Sequence, residues 1–174
     1  MKNWFMLTLV GKDRPGIVAK VSAALYRGGA NLGEASMTRL GGNFAVMLMT
    51  QYEGPPEALE KIVAPVAGGL ALRLHIDPIE GELHRHVEPN VRVSVYGADR
   101  AGIVAEVTGA LAEAGLNILD LESDVGGSSL RPIYIMHIEG HAEGGADAVK
   151  RILEALAKEK NIEVQIAPID TLLG

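Results

Sequence analysis

One nine-residue stretch occurs twice in this chain. Gly11-Lys12-Asp13-Arg14-Pro15-Gly16-Ile17-Val18-Ala19 returns as Gly97-Ala98-Asp99-Arg100-Ala101-Gly102-Ile103-Val104-Ala105, an offset of 86 residues (97 minus 11). At the same offset Val21, Leu25, Gly29 and Asn31 are matched by Val107, Leu111, Gly115 and Asn117, and Ile76-Asp77-Pro78-Ile79-Glu80 resembles Ile166-Ala167-Pro168-Ile169-Asp170. The duplication therefore divides the 174 residues into two small units, 1–80 and 90–174, with 81–89 as the linker. A unit of that size buries only a modest core, so the halves are expected to lean on each other or on a second chain.

The repeated stretch follows an apolar run (Trp4 to Val10; Val91 to Tyr96) and precedes apolar residues spaced three and four apart. That order reads strand, tight loop, helix. Asp13 and Asp99 suit an N-cap, Pro15 suits the first helical turn, and Gly16 and Gly102 leave room for close approach. Each helix start presents unpaired N–H groups whose dipole favours a carboxylate or phosphate. Capping alone also explains an Asp, so both readings stand for each copy.

Composition narrows the function classes. With 48% hydrophobic and 22% charged residues both halves are globular, and aromatics at 4% leave aliphatic packing to fill the cores. A net charge of −6 is at odds with a phosphate-backbone surface, so no direct nucleic-acid binding is expected. The absence of cysteine removes disulfides and thiolate metal sites and fits a cytoplasmic location. No run approaches the ~20 apolar residues of a membrane span, and no signal peptide is expected.

Along the first half, Ile17, Val18, Val21, Ala24 and Leu25 share a helical face that Gly28-Gly29 ends. Asn31 to Leu40 is polar, as an edge strand would be, and Gly41-Gly42-Asn43 marks a hairpin into Phe44 to Tyr52, whose Met47 and Met49 read as core filler. Leu59, Ile62, Val63 and Val66 make a second helix face, which Pro65 is expected to kink or end early. Leu70 to Asp77 alternates as a strand. The linker carries His84, Arg85 and His86; with no third and fourth ligand evident, it reads as solvated and no metal is expected.

The second half repeats this order. Val91, Val93 and Val95 alternate; Ile103, Val104, Val107, Ala110 and Leu111 form a helix face; Asn117 to Val125 sets Asp120, Glu122 and Asp124 against Leu119, Leu121 and Val125. Those carboxylates read as a solvated edge. Gly126-Gly127-Ser128-Ser129 turns the chain into Ile133 to Ile138, where His137 is assigned no chemistry. A helix with Val149, Ile152, Leu153 and Leu156 and a strand with Ile162, Val164 and Ile166 complete the unit.

Each half thus reads β-α-β-β-α-β: an α+β, ferredoxin-like unit whose right-handed crossovers put two helices on one face of a four-stranded antiparallel sheet. With Asp-Arg-Pro-Gly-Ile-Val in the loop and Asn-Leu opening the second strand, it resembles an ACT domain. The tandem arrangement is similar to the glycine-cleavage-system transcriptional repressor family. That resemblance implies a non-catalytic regulator that binds a small amino acid, glycine or similar, at domain interfaces and controls transcription or metabolism through a protein partner. It also implies a homodimer. The implied ligand zone is Asp13, Arg14, Pro15, Gly16 and Ile17 with Asn31 and Leu32, and Asp99, Arg100, Gly102 and Ile103 with Asn117 and Ile118. Ala101 stands where the family has proline, so the copies are not expected to bind equally.

Physically, helix N–H groups suit an amino acid's carboxylate, and Asp13 or Asn31 suits its ammonium. Asn31 and Asn117 are equally read as asparagines in an unusual turn conformation. No cofactor is expected, and no acid, base or nucleophile set for an enzyme is evident. A ligand-free dimerisation or adaptor module is the alternative function.

Overall fold

Alternation in β1 (Asn3–Lys12) builds the first layer: Phe5, Leu7 and Leu9 are buried, while Trp4, Met6, Thr8 and Val10 point the other way. The computed structural model describes residues 3–80, 87–98, 101–128 and 131–169. After β1 come α1 (Ile17–Arg27), β2 (Asn31–Leu40), β3 (Asn43–Tyr52), α2 (Pro56–Gly69) and β4 (Arg73–Pro78). The strands pair antiparallel in the order β2-β3-β1-β4, which makes the apolar β1 and β3 central and the polar β2 an edge. Ile17, Val21 and Leu25 of α1 and Leu59, Val63 and Ala67 of α2 join Phe5, Leu7, Leu9, Val46 and Leu48 in one core.

The second unit follows the same plan: β5 (Val91–Ala98), α3 (Ile103–Glu113), β6 (Asn117–Ser128), β7 (Arg131–His141), α4 (Gly145–Lys160) and β8 (Glu163–Pro168), in sheet order β6-β7-β5-β8. Its own core gathers Val91, Val93, Val95, Val107, Leu111, Met136, Ile138, Val149 and Leu153. The chain divides into two compact units, Met1–His84 and Arg85–Gly174. Residues 81–86, with the His84-Arg85-His86 group, lie outside the described residues. No described helix is long and apolar enough to cross a membrane.

Helix exits also repeat. In α1, Ala30 N–H donates to Leu25 O (3.0 Å) and Gly29 N–H to Tyr26 O (3.1 Å); in α3, Leu116 donates to Leu111 (2.9 Å) and Gly115 to Ala112 (3.0 Å). This paired closure satisfies the last carbonyls and turns the chain into the edge strand. A register shift falls at the same place in both, between Leu32 and Ala35 and between Ile118 and Asp120. In the first unit Gly33 lies in it beneath the Trp4 ring, where an added Cβ would come within 2.8 Å of the indole.

Several expectations need correction. Val18 and Val104 are exposed, because the buried stripe of each helix is narrower than the apolar run. Met47 is exposed rather than core filler, since strand parity sets it opposite the buried Val46 and Leu48. Pro65 does not end α2, which runs on to Gly69. β4 starts at Arg73, because Leu70 and Leu72 serve the helix exit around Ala71 at φ 55. Gly126, Gly127 and Ser128 continue β6 rather than turning the chain.

Candidate ligand-binding site

The first loop leaves β1 at Lys12 and enters α1 at Gly16, which takes φ 85 and ψ 6. A side chain there would find open space, so the left-handed backbone, about 1–2 kcal/mol unfavourable for other residues, is what calls for glycine. The backbone solution differs from the expected one. Asp13 does not cap α1, and Pro15 lies in the turn before the helix rather than in its first turn. Gly16 is the N-cap, and its carbonyl accepts from Lys20 N–H at 3.0 Å. Ile17 is buried and anchors the helix start, while Arg14, Pro15 and Gly16 are exposed.

Asp13 is held elsewhere. Its N–H donates to Gly42 O at 3.1 Å, and its carboxylate meets Arg39 Nε at 2.6 Å. The loop is thereby tied to the β2–β3 hairpin. No acidic residue lies in the first turn of α1, and no side chain caps it, which leaves its first amides without a side-chain partner among the described residues, next to exposed Arg14. That is the local chemistry of an anion site.

Asn31 and Leu32 are at the other end of the unit. Asn31 pairs with Gln51 and Leu32 with Thr50, whereas the loop adjoins the end where Lys12 meets Asn43. An 11-residue α1 separates the ends by about 16 Å at ~1.5 Å per residue. Within one unit, then, loop and strand start are not brought together. In the second unit, Gly102 enters α3 at φ 91 and Ile103 is buried, while Asn117 pairs with His141 and Ile118 with Gly140. Asp99 and Arg100 lie outside the described residues.

A family model for the ACT domain matches residues 3–74, and another ACT-domain model matches 91–157. The chain belongs to the ACT-domain family. Its two ACT units stand in tandem, each a ferredoxin-like βαββαβ module. The chain is similar to the glycine cleavage system transcriptional repressor of Escherichia coli, at 23% identity over 95% of this chain and 90% of that protein. It is also similar to a UPF0237 protein of Listeria monocytogenes, at 34% over 41% of this chain and 83% of that protein. A solved chain from Galdieria sulphuraria superposes with a TM-score of 0.76 at 22% identity, covering 98% of this chain and 100% of that one. A structure described as that of a glycine cleavage system transcriptional repressor gives 0.73 at 18% identity, covering 98% and 99%.

The first ACT unit holds two relevant residues that sequence reading passed over. Arg39 is one; only the hairpin register shows that it reaches Asp13. Thr50 is the other: it is buried opposite Leu32, and its hydroxyl has no partner among the described residues. In the second ACT unit Glu106 lies in the first turn of α3, where Lys20 stands in α1, and places a carboxylate near the helix start.

Proposed function

We propose that this tandem ACT protein is a non-catalytic regulator that senses a small amino acid, glycine or a close analogue, and acts through a protein partner. The observation that carries this reading is the opening of α1: an uncapped helix start with no carboxylate in its first turn, beside Arg14, in a chain similar to a glycine cleavage repressor. The amino acid's carboxylate takes the free amides. Its ammonium is met by a strand start, Asn31 or Asn117, brought from a different ACT unit of the same chain or of a second copy, since each unit keeps its own strand start at the far end. The net charge of −6 favours a protein partner over direct contact with DNA.

Calorimetric titration with glycine, serine and the remaining amino acids tests the reading. Binding of a small amino acid that falls at least tenfold in the Asn31→Ala, Asn117→Ala double variant is expected. A flat response across the panel overturns sensing and leaves a ligand-free adaptor. Undiminished binding in the variant moves the site elsewhere.

A further inference from the structure

A groove runs between the paired helices of each ACT unit, at corresponding places. In the first, of about 470 Å³, Ala19, Lys20, Ala23 and Arg27 of α1 face Val66 and Gly69 of α2. In the second, of about 380 Å³, Ala105, Glu106, Gly109 and Glu113 of α3 face Glu159 and Lys160 of α4. The 86-residue offset matches Ala19 with Ala105, Lys20 with Glu106, Ala23 with Gly109 and Arg27 with Glu113. Buried Leu59 and Val63 correspond to Val149 and Leu153, an offset of 90 (149 minus 59), which matches Gly69 with Glu159.

Shape has been kept and charge reversed. The first groove carries Lys20 and Arg27, both exposed and neither in an ion pair with a described residue. The second carries three carboxylates and one cation, Lys160, which bonds Glu159 at 3.0 Å and Glu106 at 3.3 Å. Hydrogen bonds to Glu159 and Glu106 raise the Lys160 pKa, and the groove lining sets three carboxylates against that one cation. The alanines and Gly109 keep both floors shallow enough for another helix to approach.

We propose that these grooves are the two halves of one contact between copies of this chain: the α1–α2 face of one copy seats on the α3–α4 face of the other, and a two-fold axis repeats the contact. Because every copy carries both halves, the contact can repeat once to close a pair or run on into longer oligomers; the proposal commits to the pair, and longer species in sedimentation would overturn it. Opposite charge at matched positions steers the encounter and opposes the like-on-like pairings. The proposal supplies a contact for the homodimer that the family resemblance implies, and it does not depend on amino-acid sensing.

Charge reversal with mixing tests it, read by sedimentation velocity without amino acid. Lys20→Glu with Arg27→Glu makes both grooves acidic; Glu106→Lys with Glu113→Lys makes both basic. Wild type is expected to dimerise, less tightly as salt rises. Each double variant is expected to raise the dimer dissociation constant about a hundredfold, because like charges then meet at both contacts. An equimolar mixture of the two is expected to restore the dimer. Circular dichroism controls for folding, which these exchanges among good helix formers should leave intact. A monomeric wild type, double variants that dimerise normally, or folded variants that do not pair when mixed would each overturn the proposal. So would a chain with all four changes that regains dimerisation while the mixture does not, since the contact would then lie within one chain. Amino-acid titration fails or succeeds separately from all of these.

Discussion

Gly16 enters α1 at φ 85 and Gly102 enters α3 at φ 91, with buried Ile17 and Ile103 next in each, yet three residues on stand Lys20 in one and Glu106 in the other. Position 39 sharpens the contrast: Arg39 pairs with Asp13, whereas its counterpart 86 residues on, Val125, is an exposed apolar side chain. Even the outward sheet faces differ. Met6, Val10, Met47 and Met49 lie on the first, whereas Arg92, His137, Glu139, Asp120 and Glu122 lie on the second, with Arg92 bonded to Glu139 at 2.7 Å and Ser94 to His137 at 2.9 Å. The places of the core and the positive φ of the two entry glycines are common to both units. Exposed chemistry has diverged, so a binding role argued for one ACT unit does not transfer to the other.

The largest effects belong to what the units share. Leu7→Ala is expected to cost about 3 kcal/mol by leaving a cavity in the first core. Because the two cores are separate clusters, amide exchange should quicken in β1 and β3 while β5 keeps its protection. Equal loss in both sheets would show that the units unfold as one. Gly16→Ala and Gly102→Ala come next. Each is expected to cost about 1–2 kcal/mol, and by nearly equal amounts, because both sites have positive φ and open surroundings. Thermal melts that differ widely between the two would break the equivalence of the loops.

Thr50 gives a smaller effect of opposite sign. Its hydroxyl is buried without a partner among the described residues, so Thr50→Val should raise stability by about 1 kcal/mol in denaturant unfolding. The corresponding place in the second unit is Gly140, which faces Val91 and Ile118 as Thr50 faces Phe5 and Leu32. There a Cβ would lie 2.5 Å from Asn117 O, so Gly140→Ala should destabilise where Thr50→Val stabilises.

The repeat, the strand order and the edge position of β2 and β6 were legible because each is written in local alternation or in the duplication. What was not legible depends on register. Asp13 is a plausible cap by residue type, but the hairpin returns Arg39 and Gly42 to its side, and that pairing shows only when β2 and β3 are aligned. Val18 looks like core by spacing, yet the buried stripe of α1 is only Ile17, Val21, Ala24 and Leu25. Met47 follows strand parity, which an almost wholly apolar run conceals. The charge reversal between grooves leaves no trace in hydrophobic periodicity, because it occupies polar positions of two helices far apart in sequence.

The smallest expected change in stability is the most informative about the site. Arg39→Val gives the first unit the side chain of the second and removes the 2.6 Å pair with Asp13. The arginine is 68% exposed, so the loss should stay within about 1 kcal/mol. Binding should respond far more. Without the guanidinium, the Asp13 carboxylate has no counter-charge beside the free amides of α1, and a ligand carboxylate approaching them meets a bare negative charge. Amino-acid affinity in calorimetry should then fall about tenfold, equivalent to ~1.4 kcal/mol, while the melting temperature hardly moves. If affinity and stability fall in proportion, Arg39 only staples the loop to the hairpin. If affinity holds, the ligand does not use the first loop, and the likeness between the two helix starts is structural alone.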